Sequence, residues 1–131
     1  MLIIKPLCEV VSQDVLPAVR ALVAKRMVES YGFSQKKAAE RLGTTQPAIS
    51  QYMSRLRGQK TRIFSDYPNV LEKINCLAEG IASGEITTEQ TTLRFCEICR
   101  LMVKEGLICR MHRDMYPSLS ACCICMESKV C

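Results

Sequence analysis

The sequence predicts an all-α fold: a basic half of three helices, then a helical hairpin, then an irregular cysteine-rich tail. Three observations predict it. Aliphatic residues recur at helical spacing in several segments. Gly32, Gly43, Gly84 and Gly106 each fall where such a segment ends, as left-handed stops do. No stretch alternates apolar and polar residues with the period of a strand. With three phenylalanines and no tryptophan among 131 residues, aliphatic side chains must build the core.

The elements follow in order. "DVLPAVRALVAKRMVESYG" predicts the first helix, with Pro17 in its first turn, Val19, Leu22, Val23 and Met27 as its apolar stripe, and Gly32 as its stop. Ser34 caps a second helix, "QKKAAERL", which ends at Gly43. Thr45 caps a third, "QPAISQYMSRLR", where Pro47 sits early enough to be tolerated. "GQKTRIFSDYP" reads as a linker. Pro68 opens a fourth helix with a stripe of Val70, Leu71, Ile74, Leu77, Ala78 and Ile81, ended by Gly84. Thr87 and Gln90 form a capping box for a fifth, which runs to about Glu105 and stops at Gly106. The remainder, with Pro117 and "SLS", reads as irregular.

A length of 131 residues suits one domain with a modest core, or a small domain with an appendage. Apolar runs are too short to span a bilayer, and "MLIIKPL" has the wrong length and flanks for a signal peptide. A cytoplasmic protein with no membrane partner is expected, its thiols held reduced. The net charge of +5 is uneven: residues 1–65 carry +7 and residues 66–131 carry −2. Cysteine is split the other way, with Cys8 alone in the first half and eight in the second. A basic segment suits a polyanion partner, although a solvated basic face is the commoner meaning of charge alone.

Within residues 35–52 the spacing of Ala39, Gly43 and Ile49 is informative. Two helices joined by a tight turn need a small residue at their close approach, which Ala39 supplies, and a residue that tolerates positive φ, which Gly43 supplies. Leu42 and Ile49 then pack the inner faces, with Tyr52 a turn further on. Gln46, Ser50, Gln51, Ser54 and Arg55 are left on a polar outer face, on a helix narrow enough to enter a major groove.

"SQKKAAERLGTTQPAISQYMSRLRG" resembles the helix-turn-helix of the lambda-repressor and Cro-like regulators. With "VLPAVRALVAKRMVESYGF" before it, about residues 8–62 are similar to an archaeal branch of transcriptional regulators, and "FCEICRLMVKEGLICRMHRDMYPSLSACCIC" resembles that branch's cysteine-rich tail. The resemblance implies a lambda-repressor-like helix-turn-helix domain. It implies that Gln46, just after Thr45, reads a base and that Gln51 is a second reader; a glutamine amide pairs bidentately with adenine. It further implies hydroxyl contacts from Thr44, Ser50 and Ser54, and phosphate anchoring by the run Arg55, Arg57, Lys60 and Arg62. Pro47 stands where relatives often carry a polar reader, which reduces contact there to van der Waals touch.

The later half carries C-x2-C-x9-C-x2-H-x9-C-x2-C: Cys96, Cys99, Cys109, His112, Cys122 and Cys125. Cys96 and Cys99, three apart on a helix, project from one face, and two C-x2-C pairs around a loop are a metal-site signal. Zinc takes four such ligands; so does a [4Fe–4S] cluster. Cys96, Cys99, Cys122 and Cys125 are the first-choice set, with Cys109 the first substitute. Cys123, beside Cys122, is the expected non-ligand, and Cys76 is expected in the core. A purely structural staple and a set of disulfides remain open alternatives. No nucleophilic or hydrolytic pattern is present, since the single histidine has only Asp114 as a nearby acid; the chain is not expected to be an enzyme.

The expectation is therefore a sequence-specific DNA-binding transcriptional regulator. Residues 1–64 would form the DNA-binding domain and residues 65–131 a helical, cysteine-rich region for metal binding and dimerisation. Its partners would be a double-stranded DNA operator and a second copy of the chain, because one recognition helix touches too few bases. The competing reading is a helix-turn-helix interaction adaptor with a structural zinc site.

Overall fold

A computed structural model of the protein describes the backbone of residues 6–55 and 59–116 and the side chains of 6–54 and 62–116. All regular elements among the described residues are helical. They run α1 (Leu7–Val10), a π-helical turn (Val11–Val15), α2 (Leu16–Tyr31), α3 (Gln35–Leu42), α4 (Gln46–Arg55), a 3₁₀ helix (Gln59–Asp66), α5 (Pro68–Ser83), α6 (Thr88–Lys104) and α7 (Leu107–Met115).

The first helical run begins earlier than the sequence predicts. The joins at Val10, Val11, Val15 and Leu16 all keep right-handed helical dihedrals, so Pro17 lies inside a run that starts at Leu7. A proline there lacks an N–H and its ring crowds the carbonyl four residues back. The wider π turn answers this locally: the Leu16 N–H donates to the Val11 carbonyl, five residues behind it.

The helix ends behave as local chemistry requires. Ser34 Oγ accepts from the Lys37 N–H at 3.1 Å, and Thr45 Oγ1 accepts from the Ala48 N–H at 3.3 Å. Gly43 has φ +67°, and the next residue's N–H, that of Thr44, returns to the Ala39 carbonyl at 2.9 Å. That return closes α3 in the manner of a Schellman turn. At α6 both arms of the capping box form: the Gln90 N–H donates to Thr87 Oγ1 at 3.2 Å, and the Thr87 N–H donates to Gln90 Oε1 at 2.8 Å. Thr87→Ala removes one arm and is expected to cost about 0.5–2 kcal/mol. Thr87→Ser, which keeps the hydroxyl, should recover most of that, and urea denaturation distinguishes the two.

Two segments are corrected. The stretch read as a linker holds the 3₁₀ helix Gln59–Asp66, and its Phe64 is 1% exposed. The stretch read as irregular after Gly106 begins with α7, where Leu107, Ile108 and Met111 are buried. The pattern i, i+1, i+4 is one face of a helix, and Gly106, with φ +82°, ends α6 only to turn the chain into α7.

The main hydrophobic cluster draws on both halves of the chain. Val19, Val23 and Met27 of α2 meet Phe64, Val70 and Ile74 and, from the C-terminal helices, Ile98, Met102, Leu107 and Ile108. The boundary placed after residue 64 therefore runs through shared packing and does not separate two cores. Polar ties reinforce the join. Arg110 Nη1 donates to Asp66 Oδ2 at 2.7 Å, linking α7 to the 3₁₀ helix. The Asp66 carboxylate, and after it the Tyr67 side chain, raise the pKa of Arg110 above its ordinary value. Asn69 Nδ2 donates to Glu105 Oε1 at 2.9 Å, tying the start of α5 to the end of α6.

Candidate nucleic-acid interface and the cysteine-bearing helices

Helix α4 packs on α2 and α3. Ile49 is fully buried and forms a small cluster with Ala24 of α2 and Ala39 of α3, against which Leu42, Tyr52 and Met53 pack. The small residues at 24 and 39 let three helices approach closely, as the sequence spacing requires of position 39. Gln46, Ser50, Gln51 and Ser54 are all exposed, and Pro47 with them. Steps of four, one and three residues put these four polar side chains on one side of the helix.

The turn before α4 contributes unequally. Thr45 is exposed and its hydroxyl already accepts the Ala48 N–H, so it still has a proton to give and lone-pair capacity to spare. Thr44 is half-buried. Arg62, in the 3₁₀ helix, is exposed. The Arg55 and Lys60 side chains, and Arg57 altogether, lie outside the described residues.

Two basic residues of α3 have structural work. Lys37 Nζ stands 4.9 Å from the centre of the Phe33 ring, and the Arg41 guanidinium 5.9 Å from it, both at cation–π range. Arg41 Nη1 also donates to the Ile81 carbonyl at 3.4 Å, near the C-terminal end of α5, where a cation complements the helix dipole. This contact was missed from the sequence, because a 40-residue separation leaves no local signal. It attaches the α3–α4 pair to the C-terminal half.

Cys96 and Cys99 do share α6, with Cys96 exposed and Cys99 half-buried. Cys109 sits on α7 and is 3% exposed, packed in the interior, where a thiol behaves as a small apolar group. His112, one turn on, meets Tyr116 edge to face with ring centres 5.6 Å apart. Cys76, expected in the core, is exposed: the buried stripe of α5 is Val70, Ile74, Leu77, Ala78 and Ile81, and position 76 falls beside it. Among the described residues no group of three or more His, Cys, Asp or Glu side chains is placed to hold a metal ion. Cys122, Cys123 and Cys125 lie outside the described residues.

No helix among the described residues is long and apolar enough to cross a membrane. No family model, curated protein or solved structure matches the chain.

Proposed function

We propose that the chain is a sequence-specific DNA-binding regulator whose α4 lies in the major groove. The observation that carries this reading is the division of α4. A buried isoleucine anchors it, and Gln46, Ser50, Gln51 and Ser54, with the exposed Pro47 among them, occupy one exposed side beginning at its N-terminus. Donor–acceptor side chains on an exposed helix face suit base edges. The +7 charge of residues 1–65 supplies the sequence-independent attraction to phosphate. Thr44 and Thr45 stand at the same end, and Arg55 and Arg57 follow in sequence as phosphate anchors.

Selection from random duplex DNA tests the reading. The wild type should return one consensus, a pseudo-palindrome with half-sites about 10 base pairs apart if two copies bind. Failure to enrich any sequence would end the regulator reading. Gln46→Ala should lose about 1–3 kcal/mol of discrimination at one base position. Its affinity for unrelated DNA should hardly change.

The cysteine-rich end is proposed as a zinc or iron–sulfur site that tunes this binding. Support comes from the paired C-x2-C spacing and from Cys96 and Cys99 sharing one helix. Cys122 and Cys125 are proposed as the second pair, with Cys109 the first substitute. Cys99→Ser should lower the metal content of protein purified without oxygen; full metal occupancy in that variant would remove Cys99 from the ligand set.

A further inference from the structure

We propose that the cleft between α2, the α3–α4 turn and α6 binds a free α-amino acid with an apolar side chain, and that its occupancy adjusts the DNA affinity of α4. The second half of this statement rests on the DNA-binding reading above; the first does not.

The cleft measures about 520 Å³, and a second hollow of about 290 Å³, lined also by Thr44 and Tyr52, shares Arg20, Leu42, Gly43 and Phe95 with it. This is the size range of small-ligand sites. Its walls carry three kinds of chemistry. Leu16, Leu42, Ile81, Ile86 and Phe95 are apolar. Arg20 is a cation on α2, and Glu40 an anion on α3. Both are exposed, and neither forms an ion pair or hydrogen bond with the other or with any other described side chain.

Opposite charges that line one cleft without pairing suit a ligand that carries both. A simple carboxylate would satisfy Arg20 but meet repulsion from Glu40. A simple amine would meet the reverse. Arg41 also lines the cleft, but its guanidinium is held by the Ile81 carbonyl and by Phe33. Arg41 keeps its charge and its other N–H donors, so the cleft holds two cations to one anion; Arg20, whose guanidinium bonds no described residue, is the one with every donor open to a two-pronged grip on a carboxylate. The threonines of α6 favour the same polarity. The Thr91 and Thr92 hydroxyls already donate to the Thr87 and Thr88 carbonyls, at 2.9 and 3.2 Å. What they retain is the capacity to accept, which an ammonium group uses and a carboxylate cannot. The apolar wall is left for the side chain.

The location connects the ligand to α4. Gly43 and Thr44 line the cleft or the second hollow and lead directly into that helix, and Phe95 of α6 lines both hollows. A molecule lodged there touches the turn and the C-terminal hairpin together, so it biases their separation.

L-leucine is the probe, titrated into the full-length protein without DNA and followed through backbone amide resonances. Saturable shifts are expected at Gly43, Thr44, Thr91 and Thr92. 4-Methylpentanoate, which lacks the ammonium, and 3-methylbutylamine, which lacks the carboxylate, should each bind at least about tenfold more weakly. Arg20→Ala should erase the advantage of leucine over the amine, and Glu40→Gln its advantage over the carboxylate; both residues are exposed, so the fold should survive. Absence of saturable shifts with L-leucine and with L-phenylalanine overturns the site. Equal binding of the single-charge analogues overturns its zwitterion chemistry. A parallel DNA titration with and without L-leucine separates the two proposals. Shifts without any DNA binding leave the cleft standing and remove the regulator reading, whereas shifts with unchanged DNA affinity remove the regulatory half.

Discussion

Phe64→Ala should lower the free energy of unfolding by about 3–5 kcal/mol, the cost of emptying a buried aromatic site. This is the largest single-residue effect expected in the chain. Phe64 is 1% exposed, and it lies in the main cluster with residues of α2, α5, α6 and α7. Of the other described side chains of the 3₁₀ helix, Arg62, Ser65 and Asp66 are exposed and Ile63 is half-buried. Truncation therefore removes the buried apolar side chain of the 3₁₀ helix from the cluster in which the N-terminal and C-terminal helices pack together. Chemical denaturation followed by circular dichroism measures the loss. Phe64→Leu, which keeps most of the volume, should retain much of the stability. An alanine variant within about 0.5 kcal/mol of wild type would place Phe64 at a surface site, contrary to the packing described.

Ile49→Ala should cost about 2–5 kcal/mol, and the lower half of that range is expected. The cluster around Ile49 is small, and its partly buried neighbours Leu42, Tyr52 and Met53 can close some of the gap. The functional effect should be larger than the stability effect suggests. Among the described side chains of α4 Ile49 alone is fully buried, so its loss loosens the helix on α2 and α3 before the main core is touched. Sequence selectivity for DNA should then fall much further than in Gln46→Ala, which alters one exposed side chain and should leave stability within about 0.5 kcal/mol. Ile49→Val, costing about 0.5–1.5 kcal/mol, should keep a consensus. If Ile49→Ala unfolds no more easily than Gln46→Ala, α4 is held by contacts other than this cluster.

The two variants also separate structure from function within one short helix. Position 49 faces two neighbouring helices and position 46 faces solvent. The sequence spacing of Ala39, Gly43 and Ile49 already implies that arrangement. What the exposed side recognises is a matter for the binding experiments, not for the packing.

Helix ends were legible because they depend on a few consecutive residues. Gly32, Gly43, Gly84 and Gly106 all adopt positive φ, and Ser34, Thr45 and Thr87 all accept backbone N–H bonds. The choice is made by the absence of a Cβ or by the reach of one hydroxyl, and neither needs a distant partner. The polar side of α4 was legible for a related reason, since a helical period of 3.6 assigns each position to a face once the buried one is known. Burial was less legible. Phe64 lies among charged and polar neighbours in "KTRIFSDY", where one aromatic residue sets up no periodicity, and only its contact with α2 and the C-terminal helices makes it core. Cys76 was misread because a thiol fits either side of a helix boundary, and the packing of α5 left position 76 outside. Pro17 signalled a helix start and does stand in the first turn of α2, while α1 and the π turn before it gave no such signal. Arg41 looked like one more surface cation until the carbonyl of Ile81, forty residues away, came within reach. Local conformation follows from near neighbours along the chain. Which faces meet, and which charged groups line a common cleft, depends on the way the described α-helices, the π turn and the 3₁₀ helix divide a limited interior, and that was decided only when they packed.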